Sequence, residues 1–229
     1  MHKLWPRPSA AGPMRLKRRI LTSSSEHEAF ARMFESLSGN TVALDYLRQA
    51  QVRGFFRGDE LLAGYVVNAR APFRYSSWVP TQARAELHQR GCLVEPSSAE
   101  ITCMWVSQIL GKFDRNRIYV RSVVDLFCSG RRFIFAGSRV EKVARIQKTT
   151  LPKTVYRGEA TFGGRCEIYC AHRYVMIAHF VGAIIAKYAQ DVARLTCSGQ
   201  VRRLKAWMRV PDAALPQAPT HLRTTPAQR

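Results

Sequence analysis

Apolar positions change period several times along the chain, and each change marks an element. Phe30, Met33, Phe34 and Leu37 recur at three- and four-residue intervals, which lays them along one face of a helix. Ahead of them the run Thr22-Ser23-Ser24-Ser25 meets Glu26 and Glu28, so Ser23 with Glu26 or Ser25 with Glu28 supplies a capping box, and Gly39 supplies the stop. A second helical or irregular stretch covers Val42 to Arg48. From Gln51 the pattern becomes strand-like: Val52 to Phe56 and Leu61 to Val67 flank Arg57-Gly58-Asp59-Glu60, the composition of a tight turn, which predicts an antiparallel hairpin. A helix is expected around Thr81 to Arg90.

Glu100 to Val106 is too apolar and too β-prone for a surface element and reads as a central strand. Asn116 is the expected cap of a following helix that carries Ile118, Val120, Val123, Val124, Leu126 and Phe127 and ends at Gly130. Arg132 to Gly137 reads as another buried strand, Val140 to Lys148 as a helix closed by Pro152, and Val155–Arg157 with Glu167–Cys170 as a closing strand pair around Phe162-Gly163-Gly164-Arg165. The most apolar stretch, Tyr174 to Ala189, falls short of the ~20 residues of a membrane-spanning helix. It is read as a strand extending that pair, followed by a helix, both buried. The proline-rich ends, 1–13 and 211–229, are expected to be mobile tails around a single α/β (α+β) domain over 14–210.

Charge adds a regional feature. Lys and Arg number 36 against 16 Asp and Glu, a formal net charge of +20, which points toward polyanionic partners such as nucleic acid, anionic membrane or a phosphate-rich cofactor. Twelve of the basic residues fall between Gly111 and Gly158, against three acidic ones. The six cysteines sit mostly in apolar runs and read as reduced core residues of a cytosolic protein. The basic start lacks the continuous apolar stretch of a secretory signal. Cys166, Cys170, His172 and His179 have ligand chemistry, but lying along one extended segment they do not close a tetrahedron, so no metal is expected.

The order helix, hairpin strands, central strand, helix, strand, helix, closing strands resembles the GNAT superfamily of acyl-CoA-dependent N-acyltransferases, over roughly Arg15 to Tyr169. Gly54 to Tyr65 looks like that family's second and third strands, and Glu100 to Val106 with Asn116 to Gly130 like the strand and helix that grip the cofactor. The resemblance implies a mixed, largely antiparallel sheet flanked by helices, an acyl-CoA or acetyl-CoA co-substrate, and an amine acceptor, either a small molecule or a protein. The family's pyrophosphate loop carries further small residues where this chain has Gly111 alone. Glycines there let backbone N–H groups approach phosphate at a helix N-terminus; Arg115 and Arg117 are the expected substitutes.

The resemblance also assigns roles. Glu100, in Ala99-Glu100-Ile101, stands where the histone-acetyltransferase branch places its general base; the alternative is a solvated carboxylate at a strand end. Met104 and Val106 would offer main-chain groups to the acyl carbonyl and the pantetheine arm, their side chains being core. Tyr156 stands near the family's general acid for the departing thiolate, its alternative being a packed tyrosine with a satisfied hydroxyl. A second function remains open beside the enzyme: a non-catalytic scaffold using its basic surface to engage nucleic acid or another polyanion.

Overall fold

Seven strands lie in the order β1-β2-β3-β4-β5-β7-β6 in a computed structural model that describes residues 15–89 and 97–207. Along the chain the elements are β1 (Lys17–Leu21), α1 (Ser24–Ser38), α2 (Leu44–Gln49), β2 (Gln51–Arg57), β3 (Glu60–Asn68), α3 (Arg74–Trp78), α4 (Thr81–Gln89), β4 (Ser98–Val106), α5 (Lys112–Cys128), β5 (Phe133–Ser138), α6 (Glu141–Thr150), β6 (Lys153–Glu159), β7 (Arg165–His172) and α7 (Arg173–Trp207). Every neighbouring pair is antiparallel except β4 with β5, which run parallel through the α5 crossover. The polypeptide divides into two units, one up to Ala183 and one from Ile184. The first holds the sheet, α1 to α6 and the start of α7; in the second the described residues are helical as far as Trp207.

Helices cover both faces of the sheet, and a bulge at Cys103 and Met104 makes the odd-numbered side chains of β4 change face along its length. Ala99 and Ile101 join Ile118, Val123 and Leu126 of α5, Ala144 of α6 and Met176 of α7 in one core cluster. Cys103 and Trp105 join Phe30 and Phe34 of α1 and Leu47 of α2 in another. A third, on Tyr75, Trp78 and Leu87 of α3 and α4, packs against Phe135, Ile168 and Cys170 of β5 and β7. Full burial of one such side chain stabilises by ~1.5–3 kcal/mol. α1 lies close to the sheet because Gly64 has no side chain: a Cβ there would sit 2.5 Å from the Phe30 ring.

The Ser23–Glu26 pair forms the capping box of α1, and Gly39, at φ 67°, ends it in the left-handed region. Asp125 of α5 is the anchor between this helix and the first strands. Its carboxylate meets Arg18 at 2.7 Å and Arg53 at 3.2 Å, and accepts the Tyr65 hydroxyl at 2.7 Å.

Four expectations are corrected. α5 begins at Lys112, capped by the backbone of Gly111 rather than by Asn116, which lies a turn inside the helix. The stretch from Tyr174 continues the sheet nowhere: β7 ends at His172 and α7 starts at once. Nor is it buried throughout, since Tyr174, Val181, Ile185 and Tyr188 are exposed while Met176 is the inward residue; uniform apolarity concealed a helix with one core-facing stripe. Cys128 is likewise exposed, whereas Cys103, Cys166 and Cys170 are buried. The expected tails and Cys92 lie outside the described residues.

Candidate functional site

The sheet is continuous at one end of β4 and open at the other. β4 pairs with β5 only from Ser98↔Phe133 to Ile101↔Ala136. β4 then runs on to Val106, and β5 runs on to Ser138 while staying paired with β7. The two strands therefore part, and the edge of β4 from Thr102 to Val106 faces a slot with no ladder partner on the β5 side among the described residues. At the point of parting Tyr75 acts as a wedge: its hydroxyl donates to the Ile101 carbonyl at 2.8 Å, and its ring lies about 3.0 Å from where a Cβ on Gly137 would be.

At the same level β4 is bulged. The register with β3 jumps from Val66↔Thr102 to Gly64↔Trp105, leaving Cys103 and Met104 opposite Tyr65 alone, and Cys103 adopts φ 50°. The bulge turns Cys103 toward α1 and leaves Met104 and Val106, both partly buried, packed on the α5 side. The expected contributors of main-chain groups thus lie on the open edge of β4, next to the slot.

Glu100 is completely buried, not solvated at a strand end. One carboxylate oxygen accepts from the Tyr46 hydroxyl at 2.5 Å, the Arg74 amide at 2.7 Å and the Asn68 side chain at 3.4 Å; the other accepts from the Tyr75 amide at 3.1 Å. Two of these donors are the first N–H groups of α3, so Glu100 caps a helix from across the chain. Burial pushes its carboxyl above the usual range, against the opposing pull of Tyr46 and then of the two amides. Burial and the adjacent carboxylate together push the Tyr46 hydroxyl far up, which keeps it a donor.

The Arg74 side chain ties this nest to the bulge. One guanidinium nitrogen lies 2.9 Å from Cys103 Sγ and the other donates to the Thr41 carbonyl at 2.8 Å. Burial pushes the Cys103 thiol up to about 11 despite that guanidinium, so it remains a thiol at neutral pH and is no nucleophile.

At the start of α5, Gly111 has no side-chain cap, and none of the described residues comes within 4 Å of where its Cβ would lie. Arg115 does not point into that space. Its guanidinium folds back to donate to the Leu110 carbonyl at 2.8 Å and the Gln108 carbonyl at 2.7 Å, ordering the loop instead. Arg117 is exposed on the helix.

Tyr156 is not brought to the slot. It sits on the edge strand β6, three strand spacings and hence roughly 14 Å from β4, with its hydroxyl donating to the Glu159 carbonyl at 2.7 Å. The residues that surround Glu100 went unseen in the sequence. Tyr46, Asn68 and Arg74 lie 54, 32 and 26 positions from it, and no local period connects them.

No family model matches the chain, and no curated protein is significantly similar to it in sequence. Solved structures do resemble it. FeeM, an N-acyl amino acid synthase from uncultured soil microbes, superposes with a TM-score of 0.56 at 11% identity, over 72% of this chain and 94% of that one. The AHL synthase LasI gives 0.48 at 11% identity over 70% and 91%, and a Bacillus subtilis acetyltransferase in complex with CoA gives 0.46 at 13% over 69% and 99%. The superposition on FeeM, together with a mixed seven-stranded sheet parted beside its central strand, makes the fold of this chain GNAT-like.

Proposed function

We propose that the chain is an N-acyltransferase that moves an acyl group from an acyl-CoA or acetyl-CoA thioester to an amine. The observation that carries the reading is the unpaired edge of β4 beside the open N-terminus of α5. A strand edge offers evenly spaced amides and carbonyls to an extended amide-bearing arm, and the helix start offers N–H groups and a partial positive charge to phosphate. Met104 and Val106 supply the main chain in the first of these roles, and Gly111 the approach in the second. Arg117 adds charge near the helix start, and Arg115 holds the loop in shape.

The acceptor arrives largely as an ammonium ion and must lose a proton before it attacks. Glu100 accepts it through the Tyr46 hydroxyl, the one donor in its shell that can pass a proton on and that is itself only partly buried. A carboxyl raised by burial is a stronger base than an ordinary glutamate, which suits the task. The amine nitrogen then attacks the thioester carbonyl, forming the C–N bond. Collapse breaks the C–S bond, and the thiolate leaves and takes up a proton. A thiolate, whose conjugate acid titrates near ~8.5, is a good leaving group without a dedicated acid, so solvent suffices where Tyr156 is remote. Direct transfer from donor to acceptor needs no covalent enzyme intermediate.

The test is thermal shift with acetyl-CoA and with long-chain acyl-CoA, beside thiol release on adding amines. Stabilisation that scales with donor concentration, and thiol release lost in Glu100→Gln or Tyr46→Phe, is the expected result. Steep salt-dependent binding to RNA or DNA with no response to any thioester would instead favour a polyanion-binding scaffold.

A further inference from the structure

A basin of about 410 Å³ opens on the face of the sheet that carries α1, lined by Ser38, Gly39, Asn40, Arg139, Gly164 and Arg165. Its position relates it to the slot from two sides. Arg139 directly follows Ser138, the last residue of the strand that parts from β4. Asn40 precedes Thr41, whose carbonyl accepts the same guanidinium that contacts Cys103 at the bulge. The basin therefore lies beside the end of β5, where that strand has left β4, and beside the segment that Arg74 holds, on the opposite face from α5.

Its walls have opposite polarity. One carries two exposed guanidinium groups, and no carboxylate is among the lining residues. Glu167, two positions beyond Arg165, is held by Arg157 at 3.0 Å and by the Tyr169 hydroxyl. Arg139 is set in place: it lies over the Phe162 ring at 5.7 Å, and a guanidinium nitrogen is 2.7 Å from where a Cβ on Gly164 would stand. Gly164, at φ 79°, thus makes room for the cation as well as for the turn. The facing wall is the C-terminal end of α1, whose last carbonyls carry partial negative charge.

We propose that this basin is the acceptor subsite and that the acceptor is an amine that also bears a carboxylate, an amino acid or a close relative. Arg139 and Arg165 bind the carboxylate by charge-assisted hydrogen bonds, and the end of α1 receives the cationic amine. The amine is thereby held on the α1 face of the slot, the side on which Tyr46 and Glu100 lie. This rests on the acyltransferase reading above and names its acceptor class.

The test uses the full chain, acetyl-CoA and palmitoyl-CoA as donors, and L-amino acids paired with their C-terminal amides as acceptors, read by thiol release and by mass of the product. The expected result is acylation of a free amino acid with kcat/KM at least tenfold above its amide. Arg139→Gln and Arg165→Gln each raise the KM for that acid at least tenfold, leaving the donor KM and the Tm unchanged. Amides used as well as acids, or acylation confined to amines without a carboxylate, overturns the subsite and leaves the acyltransferase reading standing. A rise in donor KM in the arginine variants, abolished when dephospho-CoA thioesters replace the donors, assigns the basin to the donor's phosphate and also overturns the proposal. If no thioester binds or reacts, the transferase reading fails, and calorimetric titration of the same acids and amides decides the basin. Binding of acids alone, lost in both arginine variants, upholds an amino-acid site; equal or absent binding sinks it.

Discussion

Replacing Glu100 tests its structural role against the proposed one as a base. In Glu100→Gln one oxygen still accepts, but the new amide nitrogen faces a donor, the Tyr75 amide if the remaining oxygen serves Tyr46 and Arg74. One buried donor left unmatched costs about 1–3 kcal/mol. Glu100→Ala strips four donors at once, two of them the first amides of α3, and is expected to cost about 3–5 kcal/mol. The pH dependence has a definite sign. Burial raises the carboxyl above its ordinary 4.5, so the folded chain keeps a proton there over an interval in which the unfolded chain has lost it. Stability from this group is therefore fully present below about 4.5 and is lost as pH rises through the folded value. Urea unfolding, followed by the fluorescence of the buried Trp78 and Trp105, measures wild type and Glu100→Gln across that range. Their difference should shrink with rising pH and then level off. A difference that widens with pH would mean that the four hydrogen bonds outweigh burial and that the carboxyl is an ordinary buried anion, which would refute its use as a base of raised strength.

Three further perturbations address other joints of the structure. Gly111→Asp places a capping carboxylate where the helix start now lacks one; it should stabilise the fold by about a few tenths of a kcal/mol, while weakening acyl-CoA stabilisation at least tenfold in concentration, and equal acyl-CoA response in both proteins would remove phosphate from that end of α5. Asp125→Asn withdraws the charge that Arg18 and Arg53 share and should cost about 1–3 kcal/mol in denaturant unfolding, with the loss discounted on the half-open Arg18 side. Gly64→Ala forces the Phe30 ring or the Arg53 carbonyl to move, from 2.5 and 2.8 Å, and should destabilise by about 1–3 kcal/mol; an unchanged midpoint would show that α1 sits looser on the sheet than these distances say.

Most elements from Ser24 to Cys170 were legible because they carry a local signal: a capping box at Ser23 and Glu26, a turn at 57–60, a largely apolar run from Ile101 to Val106. The short helix α3 was not, since it is capped from across the chain by Glu100 rather than by a neighbour in sequence. The errors share one cause, that a local signal can be outvoted. Asn116 is a good cap by composition, yet the helix starts at Gly111, where the chain leaves the turn after β4. Tyr174 to Ala189 is apolar all round, so its sequence does not announce which stripe faces the core. The site was only half legible. Glu100, Met104 and Val106 could be named because a family resemblance assigns roles along that one strand, whereas Tyr46 and Arg74 meet Glu100 and the bulge only through tertiary structure. Arg115 shows the converse: a basic residue beside a helix start invites a ligand role, but two loop carbonyls claim it.

The slot and the nest below it are one construction. Where β5 leaves β4, the Ile101 carbonyl faces the opening, and a buried carbonyl must find a donor. Tyr75 supplies it, and can do so only because its helix is anchored at that level. The anchor is Glu100, one residue back along β4, which binds the Tyr75 amide and the Arg74 amide before it. Arg74 in turn reaches Cys103, where the bulge begins, and Thr41, in the segment that leads to Tyr46. Parting the strands, capping α3 and placing Tyr46 over a buried carboxylate thus depend on the same few groups.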